Sequence, residues 1–355
     1  MVNRNDGTGG VLVTGGSGYL AGWVIAGLVD RGYAVRTTVR DVARAPQIRA
    51  AVSEQVGAER ASGVEVIAAD LLHDKGWDAA MRGIDHVVHT ASPLGFRPGQ
   101  DLIRIAREGT ERVLRAAATA GVRRAVVTSS GVTAISSTPG IPATETVWAE
   151  PSGLRAREYN DSKIIAERAA WSVARETGLE LATVLPTFMQ GPMLGSPSRE
   201  GSVEVIRRTL TGGLPAIPRI GWDVVDVRDI ATLHILAMTD PRAANERFLG
   251  SAGWLWWTEV ARILREQLPE DARKVPTRRM PDAVVKLLGR VNPQMASLRL
   301  DLGRQITVDS TKARTLLEWQ GRPTEQTIVD TARALIEKDR TGGGGRSQPT
   351  NSRPE

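Results

Sequence analysis

Short apolar segments that favour β-strands alternate with helix-like segments through the first half of this 355-residue chain. The strand-like runs lie at residues 10–15, 33–40, 64–70, 86–91 and 124–130, and residues 179–187 predict a sixth strand. Strands that are separated by helices pair in parallel, and the helices then cover both faces of the sheet. The sequence therefore predicts an α/β fold built on a doubly wound parallel sheet.

The composition changes after Pro186, where Gly, Pro and Ser become frequent. The loops and short helical segments at about 187–220 and 254–300 predict a smaller substrate lobe. Residues 222–238 predict a strand and a helix that return to the core. The expected division is a core domain at residues 1–186, a mixed region at 187–340, and a disordered, dispensable tail at 341–355.

Three glycines interrupt the first strand–helix junction, in the stretch VLVTGGSGYLAGW at residues 11–23. Backbone N–H groups at a helix N-terminus bind anions, and glycine lets a phosphate approach closely. In a dinucleotide site Gly15 would form the turn, Gly18 would permit the approach, and Ala21 would pack the helix on the strand. A structural turn without a ligand is the alternative. The cofactor contacts predicted from this stretch are Gly15, Ser17, Gly18, Tyr19 and Leu20.

The second strand-like run ends on Arg40, which Asp41 follows. A guanidinium suits the 2′-phosphate of NADP, whereas a carboxylate suits the ribose hydroxyls of NAD. We therefore predict NADP(H) as the cofactor with Arg40 at its phosphate, and Asp41 keeps NAD(H) open. Asp70 ends the third run, where it accepts a hydrogen bond from the adenine or caps the next turn. Its neighbour Leu71 is also predicted to contact the cofactor.

The segment YNDSK places Tyr159 and Lys163 four residues apart, on one face of a helix. Only three tyrosines and six lysines occur in the chain, so chance is a poor explanation for this pair. An ammonium lowers the pKa of a neighbouring phenol, which can then exchange a proton with a carbonyl oxygen. We predict that Lys163 lowers the pKa of Tyr159 and also binds the cofactor ribose. Ser130 would orient the carbonyl, while Ser129 would face the cofactor or the core.

Composition disfavours several other classes of function. The chain has no cysteine, and its four histidines lack metal-binding spacing, so no metal is expected. Its net charge is +6, but basic residues are scattered among acidic ones and only 4% of residues are aromatic, which disfavours nucleic-acid binding. No apolar run approaches the ~18 residues of a membrane span, and the N-terminus lacks an apolar signal. We expect a cytoplasmic monomer or homodimer that acts on a small carbonyl or alcohol and contacts no membrane.

The motifs TGGSGYLAGW, HTASP, TSSG, YNDSK and LPTFMQGP follow in this order along the chain. With them the chain resembles the extended short-chain dehydrogenases/reductases, and among these the dihydroflavonol reductase, cinnamoyl-CoA reductase and aldehyde reductase group. The resemblance implies a Rossmann-type sheet with a smaller C-terminal substrate lobe. It implies Ser130, Tyr159 and Lys163 as catalytic residues. The cofactor contacts that it implies are Arg40, Ala91, Ser92, Pro186 and Thr187.

The sequence thus predicts an NADPH-dependent reductase of a hydrophobic aldehyde or ketone. The small, apolar stretch at 131–135, together with Phe188 and Met189, favours a hydrophobic substrate. Two alternatives stay open. The first is an NAD-dependent nucleotide-sugar epimerase or dehydratase, which would share the same three catalytic residues. The second is a non-catalytic NADP-sensing protein on the same fold.

Overall fold

A parallel sheet forms the centre of the computed structural model, which describes residues 9–93, 101–138, 140–195, 201–290 and 293–342. Within these ranges seven strands pair in the order β3-β2-β1-β4-β5-β6-β9, and every pair is parallel. Their bounds are β1 Gly10–Thr14, β2 Ala34–Val39, β3 Glu65–Ala68, β4 Ile84–His89, β5 Arg124–Thr128, β6 Glu180–Pro186 and β9 Arg247–Gly250. The strand order reverses between β1 and β4, which is where open α/β sheets bind their ligands.

Helices cover both faces of this sheet. The helices of the described ranges are α1 Tyr19–Asp30, α2 Ala45–Val56, α3 Ala58–Ser62, α4 Trp77–Met81, α5 Leu102–Thr119, α6 Glu158–Thr177, α7 Val203–Leu210, α8 Val227–Thr239, α9 Trp257–Gln267, α10 Asp282–Leu288, α11 Pro293–Asp301, α12 Thr311–Leu316 and α13 Thr324–Gly342. Single 3₁₀ turns lie at Val42–Arg44, Gly131–Ala134, Arg155–Arg157 and Pro241–Ala243.

Pleating divides the core between the two faces. Val11 and Val13 of β1 pack into one buried cluster with residues of α1 and α8, whereas Leu12 joins a second cluster with residues of α5 and α6. None of these three strand side chains is exposed. The predicted α/β fold with a doubly wound parallel sheet is therefore confirmed.

A second, smaller sheet has the order β10-β8-β7, with β7 at Phe188–Gln190, β8 at Gly221–Asp226 and β10 at Gly253–Trp256. Its neighbouring helices α7, α9 and α13 bury a separate apolar cluster that includes Ile206, Trp257 and Ile328. The strand and helix expected at residues 222–238 are β8 and α8. Helix α8 packs on the central sheet, and Val225 of β8 is buried in the same apolar cluster, although β8 pairs with β7 and β10 in the smaller sheet.

Helix α13 continues through Gly342, so it contains the first two residues of the segment expected to be a tail. The other residues of that segment, 343–355, lie outside the described part of the chain. Among the helices of the described ranges, none combines the length and the apolar character that crossing a membrane requires.

Candidate active site

The residues expected to form the site follow strands that end at one edge of the central sheet. Gly15 follows β1, Ala91 lies just beyond β4, Ser130 just beyond β5, and Thr187 directly after β6. Parallel strands present all their carboxyl ends at the same edge, so these four positions are brought together. The space around two glycines shows that neighbouring strand ends lie close together. A Cβ on Gly15 would lie 3.1 Å from the Ala91 Cβ, and one on Gly131 would lie 3.1 Å from the Thr187 Cγ2.

The glycine turn between β1 and α1 needs its bare backbone. Gly15 has φ +74°, a conformation that strains other residues, and the turn closes through a 2.8 Å hydrogen bond from the Gly18 N–H to the Gly15 carbonyl. Gly16, the remaining glycine of the three at this junction, is also required, because a Cβ there would clash with the Thr37 side chain. Gly18 is the N-cap of α1, and Ala21 is buried in the core beneath it.

The other residues of this stretch point in different directions. The Tyr19 hydroxyl donates to the Gly191 carbonyl at 2.8 Å, and the Leu20 side chain is buried in the core. Both can therefore reach an anion through the free N–H groups of the first turn of α1 rather than through their side chains. Ser17 is exposed, and its hydroxyl accepts a 3.3 Å hydrogen bond from Arg44.

At the end of β2, the structure separates the roles of Arg40 and Asp41. The Asp41 carboxylate accepts a 2.9 Å hydrogen bond from the Ala43 N–H and so caps the turn Val42–Arg44. Arg40 is exposed, and no ion pair or hydrogen bond of its side chain occurs among the described residues. A free guanidinium at this strand end is available to an anionic ligand, whereas the neighbouring carboxylate is already engaged.

Asp70 and Leu71 follow β3. Of the two roles left open for Asp70, the structure shows capping, because its carboxylate accepts a 3.0 Å hydrogen bond from the Leu72 N–H. The Leu71 side chain packs beside Gly109 of α5, where a Cβ would approach it to 2.8 Å. Its side chain therefore serves packing between the loop and α5.

Behind the glycine turn, Ala91 and Ser92 adjoin a buried polar pair. The Ala91 N–H donates to the Thr14 hydroxyl at 3.0 Å, and this hydroxyl also bonds to the His89 Nδ1 at 2.8 Å. Burial, with a contribution from the charge of Lys163, lowers the pKa of His89 to about 3. A neutral, hydrogen-bonded His89 thus fixes the loop from which Ala91 and the half-buried Ser92 face the edge of the sheet.

Helix α6 carries the tyrosine and the lysine. Lys163 is buried, and its Nζ lies 3.5 Å from the Thr128 carbonyl of β5. Tyr159 keeps 38% of its surface exposed. Desolvation of its hydroxyl raises the pKa of Tyr159, and the Ser130 hydroxyl is the neighbour that opposes this rise. The structure therefore brings Ser130, Tyr159 and Lys163 together at the predicted edge.

The prediction that Lys163 lowers the pKa of Tyr159 stays a prediction, because burial is the largest influence on the pKa of each group here. Burial lowers the pKa of Lys163 to about 8, while the nearby charge of Glu167 opposes that shift. At neutral pH the phenol is protonated and the ammonium is charged.

The two serines after β5 face opposite sides. The Ser129 hydroxyl donates to Glu167 at 2.7 Å and points into the core, whereas the Ser130 hydroxyl lies toward Tyr159 and accepts from the Val132 N–H at 3.4 Å. The preference for Ser130 over Ser129 as the residue facing the site thus agrees with the geometry. On the far side, Pro186 ends β6, and the Thr187 hydroxyl donates to the Gly250 carbonyl at 3.1 Å.

Sequence reasoning missed one charged group beside the site. Glu167 lies one helical turn after Lys163, and its carboxylate pairs with Arg247 of β9 at 2.9 Å. Both side chains are buried. The i, i+4 spacing of Lys163 and Glu167 was a signal in the sequence, but nothing local pointed to an arginine 80 residues away.

The site suits a dinucleotide by its own features. It offers a glycine turn whose bare backbone is sterically required, the N–H groups at the start of α1, and the Arg40 guanidinium, which has no hydrogen bond or ion pair among the described residues. No group of histidine, aspartate or glutamate side chains able to hold a metal ion occurs among the described residues.

Comparison with known proteins gives the same assignment. The model of the NAD dependent epimerase/dehydratase family matches residues 11–249. Cinnamoyl-CoA reductase 1 of Petunia hybrida is 34% identical over 338 residues, which are 92% of this chain and 92% of that protein. Dihydroflavonol 4-reductase of Dianthus caryophyllus is 33% identical over 281 residues, 76% of this chain and 75% of that protein.

Among solved structures, Gre2 of Candida albicans in complex with NADPH is similar, with a TM-score of 0.78 and 25% identity. The similarity covers 93% of this chain and 99% of Gre2. Fold, glycine turn and relatives together define an NAD(P)-dependent oxidoreductase of the extended short-chain dehydrogenase/reductase type. The chain belongs to the NAD dependent epimerase/dehydratase family.

Proposed function

We propose that this protein is an NADPH-dependent reductase of hydrophobic aldehydes or ketones. The observation that carries the proposal is the grouping of Ser130, Tyr159 and Lys163 at the sheet edge that also holds the glycine turn. An acid, a hydroxyl donor and a cation beside a dinucleotide cradle suit the reduction of a carbonyl group.

The cofactor contacts proposed are the backbone of the glycine turn, the Arg40 guanidinium, and the strand-end residues Ala91, Ser92, Pro186 and Thr187. Asp70, Leu71, Tyr159 and Lys163 complete the set carried over from the sequence. When bound, the reduced nicotinamide supplies the hydride for the carbonyl carbon. The free guanidinium of Arg40 and the engaged carboxylate of Asp41 support NADPH over NADH.

The chain's own residues handle the proton. Because burial raises the pKa of Tyr159, the phenol holds its proton at neutral pH and can donate it to the carbonyl oxygen. The Ser130 hydroxyl donates a hydrogen bond to the same oxygen and orients it. The Lys163 ammonium then stabilises the phenolate that proton donation leaves behind.

The residues that suggested a hydrophobic substrate in the sequence are packed against other residues in the structure. In the segment 131–135, Gly131, Thr133 and Ala134 are buried, and the half-buried Ile135 packs against an apolar cluster. Phe188 stacks on Trp222 with ring centroids 4.6 Å apart. A different segment offers apolar surface. Leu154 is 51% exposed, and the Asp161 carboxylate of α6 fastens this segment through 2.8 Å hydrogen bonds from the backbone of Ser152 and Gly153.

The domain division is also a proposal, in which residues 187–220 and 254–300 supply the substrate lobe beside the core at 1–186. The location in the cytoplasm, the monomeric or homodimeric state and the dispensable tail stay predictions from the sequence.

A panel of aromatic and aliphatic aldehydes and ketones tests the function, with oxidation of NADPH followed by its absorbance. We expect turnover of hydrophobic carbonyl compounds and none of UDP- or dTDP-sugars. Turnover of the sugar nucleotides alone, with NAD retained through purification, would establish the epimerase or dehydratase instead. Binding of NADPH without any turnover would establish a sensor.

A further inference from the structure

A buried ion pair lies directly behind the catalytic residues. Glu167 is 1% exposed and Arg247 is 5% exposed. The carboxylate Oε1 accepts from the Arg247 Nε at 2.9 Å and from the Thr183 hydroxyl at 2.8 Å. Its Oε2 accepts from the Ser129 hydroxyl at 2.7 Å and from the Arg247 Nη2 at 3.2 Å. Burial opposes ionisation, but the hydrogen bonds and charge of Arg247 hold the pKa of Glu167 below its usual value, so it is a carboxylate.

Each nitrogen of the Arg247 guanidinium donates hydrogen bonds. Its Nη1 donates to the carbonyls of Glu145 and Val147 at 2.7 Å each, and its Nη2 also reaches Thr133. The Trp148 ring lies 3.8 Å from the guanidinium carbon. A buried ion pair adds little stability over a packed apolar pair, so its advantage lies in fixing one arrangement of the elements that it joins.

The elements that the pair joins are the ones that carry the reacting groups. Ser129 adjoins Ser130, and Thr133 lies in the turn Gly131–Ala134 that Ser130 caps. Glu167 stands on α6 one turn beyond Lys163. The pair therefore ties the Ser130 turn to the helix of Tyr159 and Lys163, from a position that touches none of the reacting atoms.

The charge of Glu167 matters separately from its position. Lys163 is desolvated, and the titratable groups with which its charge interacts are Glu167 on its own helix and His89 on β4. His89 is neutral near pH 7, because burial lowers its pKa to about 3. Glu167 is thus the one negative charge among the groups named here, and it opposes the loss of the Lys163 proton.

We propose that Glu167 and Arg247 are a positioning pair, which holds the Ser130 turn against α6 and keeps Lys163 charged at working pH. The proposal rests on the function proposed above, in which Lys163 acts as an ammonium. Neither residue is a catalytic residue, since each acts through Ser129, Thr133 or Lys163.

The test compares Glu167→Gln with wild type. Because the chain has only six lysines, ¹³C-labelling of their ε-carbons gives a spectrum in which Lys163 is assigned by its loss in Lys163→Ala. We expect the Lys163 titration to move to lower pH in Glu167→Gln. We also expect kcat for carbonyl reduction to fall roughly tenfold or more, because small displacements of reacting groups have effects of this size. In the pH profile of kcat, the decline at alkaline pH should begin at lower pH than in wild type.

Two further variants keep the test decisive. Glu167→Gln leaves Arg247 buried without its partner, so the double variant Glu167→Gln, Arg247→Met removes both charges and protects the fold. The matched control is Glu180→Gln, which breaks the ion pair to the buried Arg124 at the opposite end of β5 and β6. It should leave both kcat and the Lys163 titration unchanged.

An unshifted Lys163 titration in both Glu167 variants, or a kcat within twofold of wild type, overturns the proposal. If wild type reduces no carbonyl compound, the proposed function fails instead, and the lysine titration still decides whether Glu167 keeps Lys163 charged.

Discussion

A single side chain, Arg40, is expected to set the preference between two cofactors that differ by one phosphate. Charge-assisted hydrogen bonds contribute about 1.5–3 kcal/mol each, so Arg40→Ala should reduce the preference for NADPH roughly 10- to 100-fold. The measurement is kcat/KM with NADPH and with NADH. Asp41→Asn is the matched control, because an amide still caps the turn that the carboxylate caps, and the preference should not change. A wild-type preference for NADH would contradict the assignment.

Tyr159 is the proposed proton donor, so Tyr159→Phe removes one hydroxyl and little else. We expect turnover to fall about 10²- to 10⁴-fold, with the dissociation constant for NADPH nearly unchanged. Tyr33, which packs at the edge of the core, provides the control, and Tyr33→Phe should retain full activity. Near-normal kcat in Tyr159→Phe would show that another group delivers the proton.

At the scale of the element, local patterns in the sequence predicted the individual strands, turns and helix faces. They did not predict which distant elements or side chains pair with one another. The strands, the glycine turn and the Tyr159–Lys163 face follow from spacing within one segment, and the structure contains all three. Strand β8 pairs in the smaller sheet, and no periodicity within β8 encodes which sheet it joins. The same holds for Glu167 and Arg247, and for the pKa of Tyr159, which depends on the burial of its surroundings rather than on Lys163 alone.

The turn between β1 and α1 gives a prediction at this scale. Gly15 and Gly32 have similar positive φ values, +74° and +82°, so Ala at either position should lose roughly 1–2 kcal/mol of stability through backbone strain. A Cβ on Gly32 meets nothing within 4 Å, but one on Gly15 approaches Ala91 at 3.1 Å. Gly15→Ala should therefore also weaken NADPH binding, which a fluorescence titration measures, while Gly32→Ala should not. Equal affinities in the two variants would mean that the turn is structural only.

For the whole molecule, two buried histidines couple folding to pH. Burial lowers the pKa of His89 from 6.5 to about 3 and that of His234 from 6.5 to about 4. The folded state holds both rings neutral, whereas the unfolded chain protonates them below pH 6.5. Their contribution to stability is therefore complete above that pH and is lost as the pH falls. Asp223 acts in the opposite sense, since burial raises its pKa to about 6.

His234 allows this coupling to be measured by itself. Its ring bonds to the Thr128 hydroxyl and the Ile230 carbonyl, each at 2.8 Å, and glutamine can replace part of these contacts without titrating. Between pH 6.5 and about 4, the gap in unfolding free energy between wild type and His234→Gln should shrink by about 1.4 kcal/mol per pH unit. Urea unfolding at several pH values gives this gap, and the contribution of Asp223 cancels in it. A constant gap for His234→Gln would mean that the folded protein accepts the proton, and that the buried ring is not held neutral.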